Sequence, residues 1–554
     1  MDRPRGRRHS QHSPMPLVRR WFTAGATPRF SGLAQDNSRK LSSLGTGCDG
    51  HIFRGDNARR AMVSVEQVVL AVFVVSFVLI LSEYLHRTIA AWFGVVCMLF
   101  LGLSTGVFEM CETVALGPDG EYASSIFHHL GFDSTATYGE ICHHSLESLM
   151  LSWIHFDVIG LLLGMMIFAA LLEISGFFEY VSIKAAKMSG GDPWKLVVYL
   201  GTFTTLISLV IDNVTAIIII APVTLRICQK LEINPIPPLL AEAILSDTGG
   251  VASMVGDPPN IMIASQASGM DELASLFGFN GFLIRLGILT FFAWVATLGY
   301  LRYYYRDWRE SKPANVEAIL EEDEWDCIEH PLLMKTTLWI LGATVVMFSA
   351  TEFLHLHVEI HALALAGAGV ALVAARPEDH EMRHGLIHSI SEKVEWHALL
   401  FFAGLFMLVG AVGNVGYLQM LAEWIFDTFG SDPVMLAVAI IWVSAISSAI
   451  IDNIPFTAAM IPVIVFVGAK SAEEGNPIDL APLFWALAMG AGFGGNATPI
   501  GSSANVMAVS ISERGPNPIT TKEWMRVGFP VMMITCIVAT IFMIIFHGTL
   551  YSSL

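Results

Sequence analysis

Two acid-amide pairs sit where a membrane-buried chain can least accommodate them: Asp212-Asn213 in "LVIDNVTAIIIIAPVT" and Asp452-Asn453 in "AIIDNIPFTAAMIPVI". An ionised carboxylate in hydrocarbon costs several kcal/mol. Non-helical or polar backbone survives at that depth only where protein or water satisfies it. The chain is therefore restricted to folds that bring both pairs to a protein-lined cavity.

The surroundings are those of a bilayer. Of 554 residues, 54% are hydrophobic and only 14% charged, too apolar for a soluble globular protein. Apolar cores able to cross about 30 Å of hydrocarbon lie near Val65 to Leu81, Ile89 to Val107, Phe156 to Leu172, Leu283 to Leu301, Leu338 to Ala350, Ala362 to Ala375, Leu399 to Val415 and Val527 to Phe546. An all-α, multi-pass membrane protein is expected, with the lipid bilayer as its first partner. Nothing in the pattern suggests nucleic acid or a cofactor. The seven cysteines lack metal-ligand spacing and read as packing residues, although Cys111 and Cys142 are placed to pair within a loop.

The chain is internally duplicated. A shift of 240 positions brings Asp212-Asn213 onto Asp452-Asn453, Pro222-Val223 onto Pro462-Val463, and Gly164 and Gly176 onto Gly404 and Gly416. At an offset of 245, "GGVASMVGDPPNIM" from Gly249 matches "GGNATPIGSSANVM" from Gly494 with six identities in fourteen. The five extra residues fall in or near "KSAEEGNP". Duplication at this length in a membrane chain is the mark of a secondary transporter. The expected domains are a basic tail (1–61), a first repeat (62–310), an acidic linker (311–331) that includes "EAILEEDEWDCIEH", and a second repeat (332–554).

Charge orients the repeats. No Lys or Arg lies between Arg87 and Lys184, whereas residues 109 to 147 hold seven acids, so that loop is placed outside. Lys184, Lys187 and Lys195 then mark the inner side, and Arg226 and Lys230 return the stretch Leu196 to Leu225 to the same side. A single crossing cannot have both ends inside; a re-entrant hairpin with Asp212-Asn213 at its tip can. The matching hairpin, from about Pro433 to Ala469, is flanked by base-poor segments and enters from outside, which makes the repeats inverted.

The tail does not follow the same rule. Residues 1 to 60 carry twelve Lys and Arg against four Asp, while the remaining chain has 19 bases against 45 acids. Counting back from the outer loop puts this tail outside. A missing first helix, import and cleavage of the tail, or a count off by one would reconcile it. Rich in Arg and Ser, the tail resembles an organelle transit segment; the other reading is a disordered basic tail on anionic lipid. The membrane of residence, plasma membrane or organelle, stays open.

Four interrupted segments carry the chemistry. Free N-H groups at helix breaks favour anions, and free carbonyls or Asn, Ser and Thr oxygens can hold a dehydrated cation. One candidate clamp joins Asp212, Asn213 and Thr215 to Asp247, Gly250, Asp257 and Asn260. The other joins Asp452, Asn453 and Thr457 to Gly495, Asn496, Thr498, Ser502 and Asn505. These segments contain no Lys or Arg. The expected partners of the acids are therefore a proton, a bound cation, or Asn and backbone donors. A transported sodium is expected near Asn213 and Asn260 and near Asn453 and Asn505. The blander reading makes Asp212 and Asp452 helix caps. Glu242 either joins Asp247 or faces a water-filled interface. His128, His129, His143, His144 and His155 cluster at the first outer loop, where a solvated surface is the default.

The segments "LGMMIFAALLEISGFFEY", "IDNVTAIIIIAPVTLRICQ", "LLAEAILSDTGGVASMVGDPPNIMIAS", "IIDNIPFTAAMIPV" and "GGNATPIGSSANVMAVSISE" together resemble the melanosomal P protein group. That group belongs to the arsenite-permease branch of the ion transporter superfamily, with its citrate transporter-like domain. The resemblance runs from about residue 64 to 548. It implies two inverted repeats, two re-entrant hairpins, a homodimer and an elevator-type motion. The chain departs from the superfamily's dicarboxylate symporters, which have Ser-Asn-Thr at both hairpin tips, so a citrate-like or succinate-like substrate is not implied. Asp247 stands where the P protein group is expected to carry Asn.

The expected function is an ion-coupled secondary transporter of a small inorganic or organic anion or oxyacid, with proton or sodium as coupling ion. A sodium/proton antiporter and an anion channel are the alternatives. An intramembrane aspartyl protease would need Gly-x-Gly-Asp, but Asp257 follows Met254-Val255-Gly256. The repeat also supplies two similar sites rather than one dyad, so no enzyme is expected.

Overall fold

The computed structural model describes residues 64–553 apart from 83, 109–110, 117–136, 143–144, 311–312, 314–315, 355–357, 375–379, 431 and 476. The basic tail and His128, His129, His143 and His144 lie outside the described residues.

The first half comprises α1 (Val65–Ser82), α2 (Arg87–Thr105), strands β1 (Cys111–Leu116) and β2 (Thr137–Cys142), α3 (Leu146–Ser152), α4 (Phe156–Ile174), α5 (Phe177–Ser189), α6 (Pro193–Ser208), α7 (Asn213–Leu231), α8 (Ile236–Gly250), α9 (Pro258–Ser268), α10 (Asp271–Ala274) and α11 (Phe279–Tyr304). After α12 (Val316–Leu320), the second half runs through α13 (Pro331–Phe353), α14 (Ile360–Ala374), α15 (His380–Lys393), α16 (Trp396–Asn414), α17 (Tyr417–Phe429), α18 (Pro433–Ile450), α19 (Asn453–Glu473), α20 (Ala481–Gly495), α21 (Ser503–Ser512) and α22 (Thr521–Phe546). Each expected apolar core falls in a helix. Among the described residues, nine helices are long and apolar enough to cross a membrane. Among the described residues the strands form a single β1–β2 hairpin between α2 and α3, whose antiparallel register sets Cys111 opposite Cys142.

The duplication is visible in the packing. In the first half α6 lies on α8, and in the second α18 lies on α20; α2 packs on α16 while α14 packs on α4; α7 meets α21 while α19 meets α9. Each cross-repeat contact thus has its counterpart, as two inverted copies require. Without a hydrophobic drive between helices in lipid, close approach needs small residues. A Cβ on Gly164 would lie 2.8 Å from the Ala364 carbonyl carbon, and one on Gly404 would lie 3.3 Å from the Ala91 Cβ.

Both hairpins start with the same local device. Asp192 Oδ1 accepts from the N-H groups of Trp194 and Lys195 at 2.9 and 3.1 Å, and Asp432 Oδ1 accepts from those of Val434 and Met435 at 2.9 and 3.1 Å. A proline follows each acid at the first helical position, where its missing N-H is no loss. At the tips, Ser253 Oγ donates to the Leu209 carbonyl at 2.5 Å and Thr498 Oγ1 to the Ala449 carbonyl at 2.5 Å. These bonds pin each tip to the break between α8 and α9 or between α20 and α21. Each hairpin therefore turns back where it meets a helix break. Of the five extra residues, two lengthen α19 (21 residues against 19 in α7) and three lengthen the loop after it.

The acidic linker is not a free tether. Lys187 Nζ donates to Glu324 Oε2 at 2.6 Å and to the Glu322 carbonyl at 2.8 Å, and Lys230 Nζ donates to both Glu322 carboxylate oxygens at 2.7 and 2.8 Å. The linker thereby straps the Lys-bearing ends of α5 and α7. These ends form the basic face of the protein. At the α4–α5 junction Gly176 has φ +81, and a Cβ there would stand 1.8 Å from the Cys327 carbonyl oxygen of the strap. Its repeat partner Gly416 has φ +83 but nothing within 4 Å.

This asymmetry predicts that Gly416→Ala costs only the left-handed backbone penalty, about 1 kcal/mol. Gly176→Ala should cost at least about 2 kcal/mol because the strap must also move. Thermal unfolding in detergent measures both, and equal losses would mean that the strap is not seated against Gly176. Lys187 holds the Glu324 carboxyl below the usual glutamate range. That contribution is present at neutral pH and is lost as pH falls below that range. Protease cleavage of the strap should accelerate over that acid window in the wild type, and already be fast at neutral pH in Glu324→Gln.

Candidate ion and solute site at the hairpin tips

The N-termini of α7, α9, α19 and α21 converge where the two hairpin tips meet the two breaks. Asp212 caps α7: its Oδ1 accepts from Thr215 N at 2.9 Å and its Oδ2 from Thr215 Oγ1 at 2.6 Å. Asp452 caps α19, accepting from Ile454 N at 3.1 Å, and its other oxygen accepts from Ser503 Oγ. Both acids thus perform the structural task of a cap.

Asp247 and Asp257 do not. Asp247, 2% exposed, uses one oxygen for two bonds: Asn213 Nδ2 donates at 2.8 Å and Ser502 Oγ at 3.1 Å. Its Oδ2 is buried with no hydrogen-bond partner. Asp257 precedes α9 but its side chain caps nothing there; instead Asn453 Nδ2 donates to its two oxygens at 3.3 and 3.4 Å. Asp257 is 1% exposed and lies within electrostatic reach of Asp247, Asp452 and Asp212.

The hydrogen bonds correct the expectation of two clamps closed within their own repeats. Asn453 of the second hairpin meets Asp257 of the first repeat, and Ser502 of the second break meets Asp247 of the first. Because α7 packs on α21 and α19 on α9, the two clamps merge into one site. The expectation that no base reaches the acids is corrected too. Arg87, the first residue of α2, places Nη1 3.8 Å from Asp452 Oδ2, donates to Ser503 Oγ, and lies over the Phe401 ring at 5.5 Å.

The asparagines of the breaks behave alike. Asn260 Nδ2 donates to the Ser253 carbonyl at 2.9 Å and Asn505 Nδ2 to the Gly495 carbonyl at 2.9 Å. Each leaves its Oδ1 buried and unpartnered, as does Asn496, whose Nδ2 donates to Thr248 Oγ1 at 3.3 Å. Gly250 and Gly495 let the chain fold back against the carbonyls of Gly256 and Gly501, where a Cβ would sit at 2.9 and 3.0 Å. Thr457 lies apart from the site's chemistry, since its hydroxyl donates to the Asn453 carbonyl of its own helix at 2.8 Å. Glu242 is fully buried rather than at a water-filled interface, and Thr224 Oγ1 donates to its Oε1 at 2.5 Å.

A cavity reaches this site from the basic-face end, lined by Arg87, Asp212, Glu395 and Ser503 between the apolar walls of Leu162 and Phe402. Arg87 and Glu395 gave no sign of this in the sequence, where each is one charge beside an apolar span; Ser503 adjoins the predicted Ser502. His155 is half-buried rather than fully solvated, its ring 5.0 Å from that of Phe406. Among the described residues no group of three or more His, Cys, Asp or Glu could hold a metal ion.

Known proteins resemble this chain in sequence and in fold. The chain is 34% identical over 478 residues to the 46 kDa membrane protein of Mycobacterium leprae, covering 86% of this chain and 97% of that one. An uncharacterized transporter of Mycobacterium tuberculosis is 35% identical over 482 residues, with the same coverage. The human P protein is 30% identical over 553 residues, covering 87% of this chain and 60% of its own length. The crystal structure of the Alcanivorax borkumensis YdaH transporter matches the fold with a TM-score of 0.52 at 14% identity, over 85% of this chain and all of that one. The citrate transporter model, CitMHS, matches residues 77–490. The chain belongs to the CitMHS citrate transporter family and is a multi-pass membrane transporter.

Proposed function

We propose that the protein is an ion-coupled secondary transporter of a small anion or oxyacid, with a proton or sodium ion bound at Asp247 and Asp257. The observation that carries this reading is the state of Asp247. A buried carboxylate with one oxygen unpartnered calls for a proton or cation. Asp247 also links Asn213 of the first hairpin to Ser502 of the second break. An ion bound there changes how firmly the two repeats hold one another.

The solute enters beside Arg87, facing the N-termini of the half-helices, which favour negative charge. Asp212 and Glu395 line that position and Asp452 stands 3.8 Å from the guanidinium, so acids outnumber the one base there. An anion is therefore admitted well only after protons or cations have neutralised the acids, and the coupling is reciprocal. The same acid excess favours, as a second reading, a sodium/proton antiporter in which the aspartates carry both exchanged ions. The assembly in this reading is a homodimer, and the two hairpins move with their broken helices as one unit.

In proteoliposomes under imposed pH and sodium gradients, Asp247→Asn and Asp257→Asn should insert normally and lose at least tenfold of gradient-driven accumulation. Wild-type accumulation in either variant would remove the aspartates from coupling. With a panel of arsenite, phosphate, citrate and chloride, Arg87→Gln should raise KM for the transported anion about tenfold, equivalent to about 1.4 kcal/mol. An unchanged KM, alongside intact sodium/proton exchange, would favour the antiporter.

A further inference from the structure

A second cavity lies one turn along the same seam. It is lined by Trp153, His155, Met262, Gln266, Phe406 and Ala458. The seam between α16, α9 and α19 lines both cavities. On α16 the lining passes from Phe402 to Phe406, on α9 from Pro258 to Met262, and on α19 from Ile454 to Ala458. Four residues of helix rise about 6 Å. The two cavities are thus separated by a barrier about one helical turn thick.

The second cavity holds polar groups with nothing to bind. Gln266 is 2% exposed, yet neither its amide nitrogen nor its oxygen has a hydrogen-bond partner. Trp153 is 3% exposed, and its indole N-H is equally unpartnered. Leaving a buried polar group unsatisfied costs about 1–3 kcal/mol. Three such atoms at one cavity call for an occupant that both accepts and donates. His155 Nδ1 stands 3.2 Å from Ser265 Oγ, with Asp157 Oδ1 4.0 Å away outside the lining. No Asp, Glu, Lys or Arg lines the cavity, in contrast to the basic-face cavity with Arg87, Asp212 and Glu395. A charged solute here would lose its hydration without a counter-charge.

We propose that this cavity is a second station on the transport path that takes a small oxyacid in its uncharged, protonated form, to which Trp153 and Gln266 donate and from which the Gln266 carbonyl accepts. The assignment rests on the transport reading above.

The test uses melting temperatures of the purified full chain with boric acid or arsenous acid, both uncharged at neutral pH, and with phosphate as the charged probe. An uncharged probe should raise the melting temperature of the wild type and of Arg87→Gln, but not of Gln266→Leu or Trp153→Phe. Without any probe, Gln266→Leu should melt no lower than wild type, because it removes two unpartnered atoms; a merely structural glutamine would show a loss. The proposal is overturned if neither uncharged probe shifts the wild type, if the shift survives in both cavity variants, or if phosphate alone gives a shift that Gln266→Leu abolishes. Failure of the transport reading is seen separately, as absence of gradient-driven flux in wild-type proteoliposomes.

Discussion

A single carboxylate without a base beside it organises the middle of this protein. Asp247 is held from one side by an asparagine at the first hairpin tip and from the other by a serine of the opposite repeat. Both donors are neutral, so they satisfy part of the acid's hydrogen-bonding capacity and none of its charge. The hairpins, the breaks and the glycines that let them approach bring those donors to Asp247. A straight span carrying the same residues would leave a charge in lipid and no cavity in which to neutralise it.

Symmetry supplies the frame and its breaking supplies the chemistry. Both tips have Asp-Asn, both breaks are pinned by a hydroxyl to a tip carbonyl, and both close with an asparagine. The acids beyond the caps belong to the first repeat alone. At the offset of 245, Asp247 corresponds to Gly492 and Asp257 to Ser502. Both caps are aspartates, but of the two only Asp452 has Arg87 within ion-pair distance.

Much of the fold was legible because hydropathy, helix punctuation and charge bias are local properties of the chain. The eight apolar cores, the hairpin tips at Asp212 and Asp452, and the offset of five residues needed no tertiary information. The site was legible only as a set of residues. Its pairing was not, because Asn453 reaches Asp257 across 196 positions and Ser502 reaches Asp247 across 255, contacts that no window of sequence contains. In the sequence Arg87 stood out only as the last base before a long base-free stretch, and His155 as one more residue of a histidine-rich loop. The acidic segment before α13 read as a tether because its composition suits solvent, whereas its charges are matched by Lys187 and Lys230 far upstream.

The glycine at 492 has a consequence for how such a duplicated protein can change. A Cβ at that position would come within 2.4 Å of Val251 Cγ2 and 3.3 Å of Asp257 Oδ2. The vacancy left by the missing side chain is already filled by the other half. A second copy of the central acid therefore cannot be regained by one exchange at 492, since Val251 would have to retreat first. The two halves have become locked into different duties, one bearing charge and the other making room for it.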